Sequence, residues 1–224
     1  ISWAMDRLGY HVIGMDTNPK AANNIPKKIN LQDGKTPNNE FFIVADAEDI
    51  TKGLAAQVKP DIVISSLPYH QTEIVGHYCV DNGIRYCDLG GRVDVSHIIN
   101  EYAKEKATKP VFTDLGLAPG WVNILAEQGY RELYGDNEDV HVEMMVGGLP
   151  DYSLSNKNPL RYCVSWSPDG LINEYKDDCV VLEDGQIKTV KGMDGLEDIE
   201  SNKLGKLEAF YTSGGASHSI HSMK

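Results

Sequence analysis

The sequence predicts a doubly wound α/β sheet followed by a smaller α+β domain, and three observations carry that prediction. Short apolar runs end repeatedly at an acid or a turn: YHVIGM at Asp16, FFIVA at Asp46, DIVISS at Leu67 and Pro68, IRYC at Asp88 and PVFT at Asp114. Between them lie segments with helical spacing, at 51–58, 71–82 and 95–107. After the run PVFTDLGLAPGWVN at 110–123 the alternation stops, and β-rich segments of different spacing take over. Short apolar strands separated by amphipathic helices make parallel βαβ units with right-handed crossovers.

Each element has its own reason. ISWAMDRL at 1–8 places apolar residues at 1, 4, 5 and 8, one face of a helix that Gly9 ends. The pattern begins inside the helix with no cap, so the chain reads as truncated at both termini, with its first strand and the Gly-x-Gly-x-x-Gly turn lying before Ile1. In a sheet ordered 3-2-1-4-5-6 that strand would stand between those at 10–15 and 61–66, so a gap or a direct pairing is expected between them. The Pro/Asn/Lys-rich residues 24–40 read as an exposed loop.

In the crossover run, Gly116, Pro119 and Gly120 suit close backbone approach and a sharp turn, and helical spacing begins at Trp121. Strand, Gly-rich turn and helix is where α/β proteins hold ligands, although an ordinary βα connection uses glycines in the same way. The domains are therefore drawn at 1–119, for a dinucleotide, and 120–224, an incomplete α+β domain. Within the second, 140–146 alternates as a strand, and 180–183 with 186–190 flank Asp184–Gly185 as a hairpin of type I′ signature. Residues 192–203 read as a surface connection and 206–211 as another strand, the whole forming an antiparallel-rich sheet covered by helices.

A formal net charge of −12 with no Lys/Arg run disfavours nucleic acid and anionic membrane as partners. No stretch approaches a membrane span and no signal peptide is visible, which makes a soluble cytoplasmic protein the expectation. Cys79, Cys87, Cys163 and Cys179 are scattered without a CxxC pair, and the seven histidines lack ligand spacing. Reduced, mostly buried thiols and no metal are expected.

Asp16 stands where the acid ending the second strand of a dinucleotide fold accepts from the ribose hydroxyls and repels a 2′-phosphate, favouring NAD over NADP. It reads equally as a solvated strand end. Asp46 is expected near the adenine edge, Ser65, Ser66, Leu67 and Pro68 beside the nicotinamide half, and Gly116, Leu117, Ala118 and Pro119 on the cofactor side of the crossover turn.

Six stretches, in order, are DIVISSLPYH (61–70), GIRYCDLGG (83–91), DLGLAPGWVN (114–123), VGGLP (146–150), NPLRYCVSWSPDGLINEY (158–175) and LEAFYTSGG (207–215). With these the chain resembles the saccharopine dehydrogenase family, which includes saccharopine reductases and lysine 6-dehydrogenase-like enzymes. The resemblance implies a Rossmann-like first domain, a second domain at 120–224 for substrate binding and dimerisation, a homodimer, and an NAD(P)-dependent oxidoreductase acting on a carbon–nitrogen bond of a lysine-related amino acid. The DLGG and GLINEY wording looks closer to the lysine 6-dehydrogenase-like branch. Where saccharopine reductases carry an Arg for a substrate carboxylate, this chain has Asp169, which would repel a glutarate arm.

Hydride transfer to or from nicotinamide leaves the protein to orient substrate, manage protons and neutralise charge. Asp88 and Asp114, at neighbouring strand ends, are candidates to pair the substrate ammonium or to act on it, with turn capping as their alternative; His70 is a candidate proton shuttle. Tyr69, Gly90, Gly120, Trp121, Asn123, Gly148, Leu149 and Trp166 are expected to contact substrate, though Trp166, like Phe210, also suits core packing. Saccharopine-forming reduction and a non-catalytic Rossmann-like scaffold are the alternatives in function.

Overall fold

The computed structural model describes residues 1–21, 41–134, 140–150, 152–155, 159, 162–163 and 165–222; the loop expected at 24–40 lies outside them. Two compact units emerge, Ile1–Pro60 and Asp61–Lys224.

In the first unit, helix α1 (Ser2–Arg7) precedes β1 (Ile13–Asp16), which pairs in parallel with β2 (Phe41–Val44). Gly14 faces Phe42 across the ladder, and a Cβ there would fall on the Phe42 ring, so glycine lets the aromatic lie over the strand. Asp46 and Asp49 cap each other reciprocally at the start of α2 (Ala47–Asp49). The helix expected at 51–58 is broken: a π turn (Ile50–Leu54) contains Gly53 at φ +117°, and α3 (Ala55–Val58) ends at Lys59 in the left-handed region. Glycine there permits a backbone no regular helix contains.

The second unit opens with three parallel strands, β3 (Ile62–Ser65), β4 (Arg85–Asp88) and β5 (Val111–Phe112), in the order β3-β4-β5. Their crossovers are α4 (Tyr69–Asp81) and α5 (Val93–Lys106), which pack against each other and the sheet. Gly76 makes that contact close, because a Cβ there would stand 3.2–3.3 Å from the Ile99 side chain. Val75, Cys79, Val80, Tyr86 and Ile99 form the core. Each large apolar side chain among them contributes about 1.5–3 kcal/mol by leaving water. The fold is thus mixed α/β with parallel ladders, and all five strands expected from the apolar runs are present.

Past the crossover come α6 (Trp121–Tyr134), α7 (Tyr152–Ser155) and α8 (Pro168–Lys176), the last opened by Ser167, whose Oγ accepts from Gly170 N at 3.2 Å. The hairpin β6 (Cys179–Glu183) and β7 (Gln186–Val190) turns through Asp184 and Gly185 at φ +52° and +69°, as the type I′ signature requires. Three expectations are corrected. Residues 140–150 form no strand: Val140, Val142 and Met144 are half-buried while His141 and Glu143 are exposed, so the alternation is there but no ladder partner is found among the described residues. The stretch 192–203 holds a strand, β8 (Glu197–Ser201), paired with β9 (Gly205–Ala209); its acidic side chains hid the inward Ile199. The two hairpins are also separate two-stranded sheets, not one. A 3-10 turn (Gly215–His218) and α9 (Ser219–Ser222) follow. The cysteines are free; Cys79 and Cys179 are buried, whereas Cys163 is exposed.

Candidate active site

The carboxyl ends of β3, β4 and β5 hold a cluster of polar side chains. Asp88, at the end of β4, is 2% exposed. Its Oδ1 accepts from the backbone N–H groups of Gly90 (2.8 Å) and Asp114 (3.0 Å), tying the turn after β4 to the loop after β5. The Asp88 carbonyl accepts from Leu115 N at 2.8 Å, closing the same join. Asp88 Oδ2 is buried without a hydrogen-bond partner among the described residues, and so is Ser65 Oγ, directly across the ladder. The Tyr86 hydroxyl stands beside them and donates to Thr72 O at 3.3 Å. Burial lifts the Asp88 carboxyl above the usual carboxylate range, against the opposing pull of the two N–H groups and Tyr86. Burial, then the Asp88 charge, raises the Tyr86 phenol too. Orphaned buried polar atoms cost stability, and clustered groups of perturbed acidity mark candidate sites.

Asp114 is half-buried and takes φ +63°, a left-handed conformation that Asp tolerates better than most residues. Helix α5 fixes it from one side: Ser96 Oγ donates to Asp114 Oδ1 at 2.7 Å, and Asn100, one turn on, donates to Thr113 Oγ1 at 3.0 Å. Gly90 supports it from another, since a Cβ on Gly90 would fall on Asp114 Oδ1 and lie 2.7 Å from Pro119 Cγ.

The crossover loop folds back on itself. Gly116 and Gly120 form a bridge, and a Cβ on either would strike a carbonyl oxygen, of Leu89 or of Gly116. Gly120 N donates to Asn123 Oδ1 at 2.8 Å, Asn123 Nδ2 donates to Ser219 Oγ at 2.6 Å, and Ser219 Oγ donates to Met144 Sδ at 3.8 Å. Two segments distant in sequence, at Ser219 and Met144, are therefore tied to the start of α6. Gly215 lies over Ala118, where a Cβ would come within 3.3 Å of the alanine methyl. Leu117 and Trp121 point outward, 61% and 55% exposed.

Tyr69 and His70 open α4, with His70 exposed and its ring 5.7 Å edge-on from Tyr69. Tyr69 packs on Gly91 and lies under the Arg92 guanidinium, 5.4 Å from its ring centre. Ser66 and Pro68 are exposed and Leu67 is half-buried in the turn leading to them.

With this arrangement in view, comparison with known proteins is informative. A model of the saccharopine dehydrogenase C-terminal domain matches residues 116–224. The mitochondrial alpha-aminoadipic semialdehyde synthase of Rattus norvegicus is 32% identical over 139 residues, 59% of this chain and 14% of that protein. The saccharopine dehydrogenase (NADP(+), L-glutamate-forming) of Schizosaccharomyces pombe is 26% identical over 160 residues, 71% of this chain and 35% of that one. By these matches the chain is similar to the saccharopine dehydrogenase family, most directly over residues 116–224. A solved structure, apo histidine-tagged saccharopine dehydrogenase (L-Glu forming) from Saccharomyces cerevisiae, shares the fold with a TM-score of 0.57 at 20% identity, over 84% of this chain and 41% of its own. The chain thus spans well under half the length of the curated relatives named here.

The remaining expected site residues lie elsewhere. Asp16 is exposed at the end of β1, where its Oδ1 accepts from Asn18 N at 2.7 Å. Asp46 serves the capping box of α2. Gly148 and Leu149 are exposed; Gly148 faces Ser165, where a Cβ would come 3.4 Å from Oγ. Trp166 is 40% exposed, with Nε1 donating to Tyr162 Oη at 3.3 Å and its ring across Gly170, so it is not a core residue. Phe210, by contrast, packs edge-on against Tyr175 at 5.3 Å. Sequence reasoning missed Ser96, Arg92, Ser219 and Glu174. Glu174 on α8 is half-buried with no side-chain partner among the described residues, and burial pushes its carboxyl up to about 7. The run NEY marks a helix face, but nothing local in it shows that the acid is covered.

Proposed function

We propose that this chain carries the substrate cleft of an NAD(P)-dependent oxidoreductase acting on the CH–NH or CH–NH2 group of a lysine-related amino acid, in the lysine 6-dehydrogenase-like branch. The observation that carries the reading is the pair of acids, Asp88 and Asp114, locked together at the carboxyl ends of adjacent parallel strands beside a glycine-lined loop. Ligands of open α/β sheets bind at that end. Parallel ladders in both units, together with the likeness to the yeast enzyme, support a doubly wound Rossmann-like sheet. The C-terminal family match beginning at residue 116 supports a domain change near 119/120.

The buried, unpartnered Ser65 Oγ at the end of β3 fits a polar edge of a nicotinamide cofactor, with Ser66, Leu67, Pro68 and 116–119 as neighbouring backbone. Among the described residues only Oδ1 of Asp16 is taken, by Asn18 N, which leaves Oδ2 for a ribose hydroxyl. Bound NAD would supply the hydride acceptor. The protein's part is to hold the amine against Asp114, with Asp88 setting that loop and His70, exposed at the start of α4, passing protons to solvent. The negative charge of Asp16 favours NAD, whereas the fission yeast relative is named for NADP(+). The exposed apolar side chains Leu117, Trp121, Ile124 and Leu125 support a homodimer. Among the described residues no helix is long and apolar enough to cross a membrane. A cytoplasmic site is proposed, and cell fractionation decides it against the mitochondrial location in the rat relative's name.

The test is NADH formation with L-lysine, saccharopine and polyamine-like amines. Turnover of L-lysine supports this branch, turnover of saccharopine alone supports the saccharopine-forming alternative, and dinucleotide binding without turnover of any supports the scaffold.

A further inference from the structure

We propose that Arg92 anchors the carboxylate of the amino-acid substrate while Asp88 and Asp114, at the same end of the parallel strands, receive the ammonium; this rests on the reading above that the site takes an amino acid. A zwitterionic substrate brings one charge of each sign into the cleft, and the structure supplies cations there sparingly. Residues 61–123 contain five Lys or Arg. Arg85 begins β4, Lys104 and Lys106 end α5, and Lys109 precedes β5, all at the amino end of the parallel strands. Arg92 alone follows a strand's carboxyl end, in the DLGGR turn between β4 and α5. Asp88 and Asp114 share that end.

The side chain is already oriented for the task. Asp94 takes Nε and Nη2 at 2.9 and 3.0 Å, which fixes the guanidinium plane and leaves Nη1 with the outer N–H of Nη2 as a second, end-on fork. The Tyr69 ring supports one face at 5.4 Å, and Tyr69 is itself seated against Gly91. A Cβ on Gly90, the next residue back, would fall on Asp114 Oδ1, and one on Gly91 would press on Tyr69, so the bare glycine pair lies between the acid and the ring that supports the cation. The guanidinium is half-exposed and therefore open to a ligand. Asp94 and Asp177 are the acids whose charge reaches it, and both weaken its hold on an incoming anion.

A pair of ligands isolates this contact. Cadaverine is L-lysine without its carboxylate, so the ratio of their affinities reports the anchor and leaves the amine site untouched. The whole protein, saturated with NADH so that no hydride acceptor is present, is titrated calorimetrically with each. Wild type is expected to favour L-lysine by at least about tenfold, the range of one hydrogen-bonded charge pair. Arg92→Gln should bring the ratio to about one with cadaverine affinity unchanged, and Arg92→Lys should keep part of it. Asp177→Asn should raise the ratio, a gain that misfolding does not produce. A ratio unmoved by Arg92→Gln, or equal loss of both ligands in that variant, overturns the anchor and leaves the proposed function standing. Failure of wild type to bind either ligand overturns the amino-acid reading of the site, and the anchor with it.

Discussion

Glu174→Gln offers a test in which the structure fixes both sign and size. The Glu174 backbone carbonyl accepts from Ser213 N at 2.9 Å, and Ser213 leads into the Gly214–Gly215 segment that rests on Ala118 of the crossover loop. Burial raises this carboxyl from 4.5 to about 7, so the native state holds its proton more tightly than the unfolded chain does. The stabilisation is therefore complete below about pH 4.5 and is lost as pH rises towards 7. A rise of roughly 2.5 units corresponds to about 3.4 kcal/mol as an upper bound. Because the side chain is half-exposed, solvent screening brings this down to about 1 kcal/mol. Glutamine keeps the shape and never ionises. Urea denaturation of both proteins should show the variant more stable by about 1 kcal/mol near pH 8 and equal to wild type near pH 4.5. Using the difference between the two proteins cancels every other titrating group. A difference that stays constant with pH would refute the reasoning.

Other outcomes follow from the same geometry. Gly120→Ala places a methyl against the Gly116 carbonyl at a φ of +129°, and should cost about 2–5 kcal/mol by thermal or chemical unfolding; a loss below the error of the measurement would show that the loop relaxes freely. Asp88→Ala strips the acceptor from Gly90 N and Asp114 N and should cost about 2–4 kcal/mol, whereas Asp88→Asn, which retains an acceptor oxygen, should cost less. Asp16→Asn should narrow the preference for NAD over NADP, measured as the ratio of kcat/KM values; a parent enzyme that already prefers NADPH contradicts the role given to Asp16.

The parts of this molecule legible in its sequence are those encoded locally. Five apolar runs gave five strands, and Asp184–Gly185 announced a hairpin because positive φ at two successive positions needs residues of that kind. The acids at strand ends were equally visible, since β4 and β5 stop where their apolar runs stop. What depends on distant partners was not. The strand at Glu197–Ser201 exists through its pairing with Gly205–Ala209, while the equally alternating residues 140–146 show no such pairing among the described residues. Ser96 looked like any helix residue until the β5 loop brought Asp114 within 2.7 Å, and Ser219 lies 96 positions from the Asn123 it binds. Asp88 illustrates the limit from the other side: the sequence left capping and catalysis open, and the structure shows a capping oxygen and a buried, unpartnered one on the same carboxylate.

The central claim is that the acids at the ends of β4 and the β5 loop handle the substrate amine and not the cofactor. Asp114→Asn tests it most directly, because it removes charge while preserving shape and the Ser96 contact at Oδ1. With L-lysine as substrate, kcat/KM should fall by at least about tenfold, equivalent to about 1.4 kcal/mol of transition-state stabilisation, while the Kd for NADH stays within about twofold of wild type. Unchanged kcat/KM in Asp114→Asn, or a loss confined to NADH binding, would contradict the account.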